Sequence, residues 1–295
     1  MTKQAFKTWS TPVSAEKTRR VPCCICACTQ FNKSLQCGEF AYVRCARCGL
    51  VQMNPQPEAA QVVCRYTEKY GDAYLAYELA NEEIFLSLQL LALKDAGFEL
   101  LEQELFQNAA GSAPVLLDIG CATGALLYEL RQRGWQGSGV EISPAAAYAR
   151  KARCLDVRSA PLEQNNFPSG SFDVILASHL IEHLNDPAGF AREIFRLLKN
   201  KGRIYITTPN IAGFQALVFG SSWRSAIFDH LYLFSIKTLK ALLLRSGFKI
   251  ECVRTWGGLA AGTAPLWLKK TADRVVKKLG LGDVMIIRAK KTEVL

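Results

Sequence analysis

The chain has 295 residues, 49% of them hydrophobic, enough to bury one core of about 180 to 200 residues and a smaller unit, so disorder throughout is excluded. No apolar run approaches the roughly 20 residues that span a bilayer, and residues 1–20 carry charge without an apolar export core, so a cytoplasmic location is expected. The net charge of +10 gathers at the ends, with five Lys/Arg against one Glu in residues 1–20 and nine Lys/Arg against three acids in residues 254–295. Basic ends on a balanced body point to an anionic surface or substrate such as phosphate, nucleic acid or lipid headgroups, or serve only as solubilising tails.

After a basic tail over 1–20, a ribbon is expected over 21–56. Seven of the eleven cysteines lie in residues 23–48, as Cys23-x-x-Cys26, an 18-residue gap, then Cys45-x-x-Cys48. Each pair bends into a knuckle, and two knuckles close a tetrahedral sulfur site around one zinc at about 2.3 Å per bond. The four-thiolate set Cys23, Cys26, Cys45 and Cys48 leaves no open position, so its role is structural; Cys24, Cys28 and Cys37 lie near enough to compete. A redox role is the weaker alternative, since no βαβ pattern surrounds the pairs.

Residues 57–111 form a linker or lid, with 71–110 predicted helical from apolar side chains at three- and four-residue intervals. Tyr66 and Tyr70 precede that helix. "GSAP" breaks the pattern, and "PVLLDIGCATGALLYELRQRG" reads as strand, glycine turn and helix. "WQGSGVEIS" follows as a second strand ending in Glu141. Strand, loop, helix, strand and acid in that order make a first βαβ unit that binds a nucleoside, with Gly120 and Gly124 in the turn and Glu141 placed for ribose hydroxyls.

The loop D-I-G-C-A-T-G lacks the G-x-G-x-x-G that offers a helix end to pyrophosphate. It resembles motif I of the class I S-adenosylmethionine-dependent methyltransferases, with Ala122 where many members have glycine. The resemblance runs from about residue 112 to the end. "FDVILASHLIEHL" and "LLKNKGRIYITTPN" look like strands four and five with the helix between, and "GFKIECVRTWG" and "DVMIIRAKK" like strands six and seven. It implies an α/β fold, a seven-stranded Rossmann-like sheet in the order 3-2-1-4-5-7-6 behind the small zinc ribbon, with the methyltransferase domain over 112–295. It also implies an S-adenosylmethionine site made by Asp118, Gly120, Cys121, Thr123, Gly124, Glu141, Ile142, Leu162 and Ser178, Asp118 attracting the cationic amino-acid end. Tyr66 and Tyr70 resemble the tyrosine-rich arm that folds over the cofactor in relatives, or simply pack on the sheet. An insertion over 257–283 includes a basic amphipathic helix from about Pro265 to Leu279, which covers the acceptor pocket, rests on an anionic surface or is merely solvated.

"SHLIEHL" (178–184) matches H-x-x-E-H, the inverted zinc-protease signature, yet its place after strand four and Pro187 soon after it argue against a long catalytic helix. Three readings stay open. His183 or His179 is the base that takes a hydroxyl proton from the acceptor. Alternatively, Glu182 and His183 match part of the E-x-x-E-H that holds magnesium in ubiquinone-pathway and small-RNA 3'-terminal 2'-O-methyltransferases. His230, after the "TPN" strand, then supplies a further ligand in a set better suited to zinc, manganese or iron. The third reading is that the stretch caps local backbone. The expected activity is O-methylation of a small or carrier-linked acceptor such as a sugar, quinone or lipid intermediate. RNA or protein methylation is the alternative, nucleic acid being less favoured, and a non-catalytic S-adenosylmethionine-binding scaffold is a further one. Sugar C-methyltransferases share the "CGLVQ" of Cys48 to Gln52 but carry a long additional C-terminal domain.

Overall fold

A computed structural model describes residues 17–108, 111–258 and 276–293. Its N-terminal part holds β1 (Thr18–Arg19), β2 (Phe31–Cys37), β3 (Phe40–Cys45), β4 (Val51–Met53) and β5 (Gln56–Pro57). Next come α1 (Ala59–Cys64), a π-helical turn over Arg65–Lys69, α2 (Gly71–Asp95) and α3 (Phe98–Gln107). The body contains β6 (Val115–Ile119), α4 (Ala125–Gln132), β7 (Gln136–Val140), α5 (Ala145–Arg153), β8 (Asp156–Arg158) and β9 (Phe172–Ser178). There follow α6 (Pro187–Leu197), β10 (Leu198–Pro209), α7 (Phe214–Phe219), β11 (Tyr232–Leu233), α8 (Ile236–Arg245), β12 (Phe248–Trp256) and β13 (Val284–Lys291).

The main sheet runs β8-β7-β6-β9-β10-β13-β12. Strands β6 to β10 are mutually parallel, while β13 lies antiparallel to both β10 and β12. Burial on both faces explains why β6 and β9 read as continuous apolar runs rather than alternating ones. Along β9, Ile175 turns to a core that also holds Phe190, Ile204 and Leu239, while Val174 and Leu176 turn to the opposite core with Leu127, Trp135 and Tyr205.

The helix expected over 71–110 is two helices. The chain stops being helical at Ala96 because Gly97 adopts φ 78°, in the left-handed region that glycine enters without steric cost. The Arg288 guanidinium then donates to the carbonyls of Ala96 (2.9 Å) and Gly97 (3.2 Å), satisfying groups that the helix end leaves open. Of the basic helix expected over 265–279, only 276–279 falls among the described residues, and these are helical.

β2, β3 and β4 form an antiparallel sheet whose fourth strand, β11, comes from the body. Cys23, Ile25, Tyr42, Leu50 and Met53 share one hydrophobic core with Ile175 and Ile204 of the main sheet. The Tyr42 hydroxyl, buried, reaches the carbonyls of Ile227 (2.6 Å) and His230 (2.8 Å).

Candidate active site and cysteine cluster

Sequence-predicted residues gather in three places: the β6 and β7 ends, the turn after β9, and the two knuckles. At the first, Gly124 has φ 74°, and a β-carbon there would stand 2.6 Å from Leu155, so the turn that starts α4 tolerates only glycine. Glu141, at the end of β7, accepts from Ala122 N–H through Oε2 (3.0 Å) and from Ser143 N–H through Oε1 (2.8 Å). Its carboxylate thereby ties the β6 loop to the β7 loop, with Ile142 half-buried between them. Asp118 ends β6 almost fully buried, and burial together with the Glu141 charge raises its carboxyl to about 7. Thr123 is held from behind, its carbonyl accepting from Arg153 at 2.7 Å.

Two expected site residues face elsewhere. The Cys121 side chain is buried under β7, its sulfur 2.7 Å from where a Gly139 β-carbon would be, so only its backbone belongs to the loop. Leu162 is buried in the core, in a short 3-10 turn over Leu162–Gln164. Ser178 lines a narrow cleft with Thr207 and with Gln89 and Leu93 of α2.

Sequence reading missed how α2 closes over this edge. Its first residue, Gly71, leaves no room for a β-carbon, which would fall 2.7 Å from Pro144 just past Ser143. Glu82 of α2 pairs with Arg153 at 2.5 Å, the same arginine that holds Thr123. Between these two ties, burial and the Glu141 charge raise the Glu78 carboxyl to about 7. Tyr74 packs edge-on against Tyr66 at 6.1 Å. The signal was available: Tyr74, Glu78 and Glu82 recur every four residues and share one helical face.

The second place begins where β9 ends. His179 adopts φ 51°, a strained conformation for a non-glycine residue, secured by its N–H donating to Thr207 O at 2.8 Å. A single 3-10 turn, Ile181–His183, then replaces the helix that the spacing of the signature would need. Glu182 is fully buried and its Oε2 accepts from the Thr208 hydroxyl at 2.9 Å. Among the described residues, the neighbour of Oε1 is His179 Nδ1 at 3.4 Å, and the His179 side chain is half exposed. Burial opposes the charge on Glu182, but His179, with His183 and His230 beside it, brings its carboxyl down to about 2. Burial and the neighbouring His183 push the His230 imidazole down to about 3.

Backbone carbonyls fix both buried rings. His230 Nδ1–H donates to Ser225 O at 2.8 Å, and His183 Nδ1–H to Asp229 O at 3.0 Å, with the Tyr66 hydroxyl 2.9 Å from the same nitrogen. A carbonyl only accepts, so each Nδ1 carries the proton and each Nε2 keeps its lone pair. Glu182, His183 and His230 each offer one ligand atom, all within 4.8 Å of one another. Arg65 braces the loop that presents His230: buried in the π-helical turn, it pairs with Asp229 at 3.0 Å and lies over the Phe228 ring at 4.2 Å.

At the third place, Cys23, Cys26, Cys45 and Cys48 come together, with Cys23 to Cys48 at 3.4 Å and Cys26 to Cys45 at 3.5 Å between sulfurs. Burial resists a charge on Cys45, but the backbone N–H groups of Cys48 and Arg47 bring its thiol down to about 6. Cys28 and Cys37 turn away toward the carbonyls of Gln30 and Ser221.

A family model described as a methyltransferase domain matches residues 92–253. The chain belongs to that family. A ubiquinone biosynthesis O-methyltransferase from Pseudomonas paraeruginosa is 32% identical over 112 residues, 35% of this chain and 48% of that protein. Its counterpart from Xanthomonas axonopodis pv. citri is 27% identical over 156 residues, 47% of this chain and 64% of that one. The chain spans about half the length of the curated relatives it matches. Among solved structures, a SAM dependent methyltransferase from Archaeoglobus fulgidus aligns over 69% of this chain and 99% of its own, at 20% identity and a TM-score of 0.47. The model match takes in the β6 and β7 carboxylates and the turn after β9, and leaves both knuckles outside.

Proposed function

We propose that the chain is an S-adenosylmethionine-dependent O-methyltransferase of a small or carrier-linked acceptor, with a divalent ion at Glu182, His183 and His230 and a structural zinc at the four cysteines. The observation that carries the reading is the trio of Glu182, His183 and His230, each offering a ligand atom within 4.8 Å of the others, with Nδ1 of both imidazoles turned to a backbone carbonyl. A carboxylate buried among such groups is costly unless it is compensated, and a shared cation would compensate it. Carbonyl-oriented rings and a Thr208-oriented carboxylate are the supporting shell that metal ligands have. Two imidazoles and one carboxylate suit zinc, manganese or iron better than magnesium. Four thiolates suit zinc as a closed structural site.

The cofactor supplies an activated methyl group on a positive sulfonium, and a bound divalent ion supplies a Lewis acid that lowers the pKa of an acceptor hydroxyl. The chain's residues do the rest. Asp118, Glu141 and Glu78 place negative charge around the cationic cofactor, and Glu141 keeps lone pairs for ribose hydroxyls. His179, half exposed and set outside the buried trio, takes the acceptor proton, leaving His183 and His230 as ligands. With α2 closed on Pro144, bulk water is kept from the reacting atoms. O-methylation agrees with the activity for which the relatives are named.

Calorimetry with S-adenosylmethionine and a methyl-transfer assay on catechol-type acceptors, before and after mild chelation and readdition of manganese or zinc, test this. Absence of cofactor binding abandons the enzyme; full activity of protein whose second ion has been removed abandons the metal.

A further inference from the structure

Helix α2 carries apolar side chains round its whole circumference, and only one side of it is covered. Glu82 and Gly71 fasten that side to Arg153 and Pro144, with Ala92 and Leu93 buried on it. The opposite side exposes Leu79 (38%), Ile84 (59%), Leu88 (47%) and Leu91 (53%), none of which the proposed reaction uses. A helix that is apolar on every face is ordinarily buried on every face, so this one lacks a neighbour among the described residues. The spacing says of what kind. Ala73, Ala80 and Ser87, all exposed, recur every seven residues, and Ile84 and Leu91 follow Ala80 and Ser87 by four. Alternating steps of four and three along one seam are those of a helix pair, and this seam keeps small residues at one set of positions and large ones at the other.

The occupant that fits such a seam is a second copy of it. Laid antiparallel about a two-fold axis near residue 82, Ala80 faces the partner's Ile84 and Ala73 faces the partner's Leu91, so large side chains enter the gaps left by small ones. A parallel pair would instead set large on large and small on small. Charge favours the same orientation. Exposed Asp72 lies in the first turn of α2, and exposed Lys94 lies in the last, where it keeps a loose 3.8 Å contact with Glu99. Antiparallel pairing brings Asp72 beside the partner's Lys94 twice over, whereas a parallel pair opposes like charges at both ends. These two pairs outweigh the single approach of the two copies of Glu83, which lies at the exposed rim. We propose that α2 pairs with α2 of a second copy of the chain, antiparallel, along this stripe. The contact covers roughly 1,000 Å² in all, at the small end for a specific interface, so a dissociation constant on the order of micromolar is expected. The covered side of α2 lies on the edge that holds Asp118 and Glu141, so both copies of that edge stay on the outside of the pair. The pairing stands independently of the function proposed above.

Sedimentation equilibrium of the full chain over a range of about 0.1 to about 100 µM tests it, and a monomer–dimer equilibrium is the expected result. The variant Ile84→Glu/Leu91→Glu should weaken association by about a hundredfold or more. Its melting temperature, read at concentrations where the wild-type chain is monomeric, should be unchanged. Asp72→Lys and Lys94→Asp should each weaken association by about three- to tenfold. Mixing those two variants should restore it, because at both ends of the mixed pair a lysine then meets an aspartate. A chain that stays monomeric throughout, a dimer that the double variant leaves intact, or a mixture no tighter than either charge variant alone would each overturn the proposal. So would a double variant whose monomer melts at a lower temperature, since the stripe would then be covered by the chain's own residues.

Discussion

Two groups of carboxylates on the same sheet edge are tuned in opposite directions. At the ends of β6 and β7, Asp118 and Glu78 lie near Glu141 and the burial and charge hold both up to about 7. At the end of β9, an acid buried at least as deeply, Glu182, is held down to about 2 by three imidazoles. Burial alone raises a carboxyl in both places, so the neighbours decide the sign. The first group is an excess of negative charge awaiting a cation, and the second has drawn its nitrogen partners from the chain itself. On the function proposed above, the first would receive an organic cation and the second a coordinated one.

The largest effect expected is at Glu182. Glu182→Gln keeps the shape and removes the charge, so turnover should fall on the order of a thousandfold while S-adenosylmethionine affinity changes by less than about threefold. Equal losses in both would mean that the two groups act as one site, and the contrast would collapse. Next is Glu141→Ala, which strands two backbone N–H groups and should weaken cofactor binding by about a hundredfold, measured by calorimetry. His183→Ala, by comparison, should leave that binding nearly intact.

Glu78→Gln sharpens the contrast from the lid side, with about a five- to tenfold loss of cofactor affinity expected and little loss of fold. The pH profile is the gentlest probe. A positive ligand favours ionised carboxyls, so affinity should rise as pH increases through about 7, by at most about tenfold per unit per group, with protons released on binding. The ligand-free protein should do the reverse. Folded-state carboxyls raised above the unfolded value give stability that is present in acid and lost as pH climbs through about 7, visible as a falling melting temperature. A flat profile in both measurements would remove the tuning argument, and Glu78→Gln should flatten it in part.

How legible these groups were in the sequence follows from how local they are. Asp118, Gly120, Gly124 and Glu141 lie within one βαβ unit, where order along the chain is order in space. The cysteine knuckles are equally local. His183 and His230 are 47 positions apart, and only the likeness to other methyltransferases paired them. Glu78 and Arg65 were passed over because nothing in a charged helix announces that it folds back on a sheet edge. The stiff turn at His179 was hidden as well, since its left-handed backbone comes from tethering to Thr207 rather than from residue type.

Strand β11 starts two residues after His230 and hydrogen-bonds to β4, three residues beyond Cys48. The Leu231 N–H donates to Glu182 O at 2.8 Å, and its carbonyl accepts from Met53 N–H at 2.8 Å. The ribbon is therefore a wall of the histidine site rather than an appendage, and cannot be cut away as a spare module. Trimming the chain to its family-matching part would leave His230 without the Tyr42 and Met53 anchors behind it. If both sites hold the ions proposed for them, a chelator strong enough to empty the knuckles should silence the second site by distortion before it extracts an ion there, so the order in which metals are stripped becomes part of the measurement.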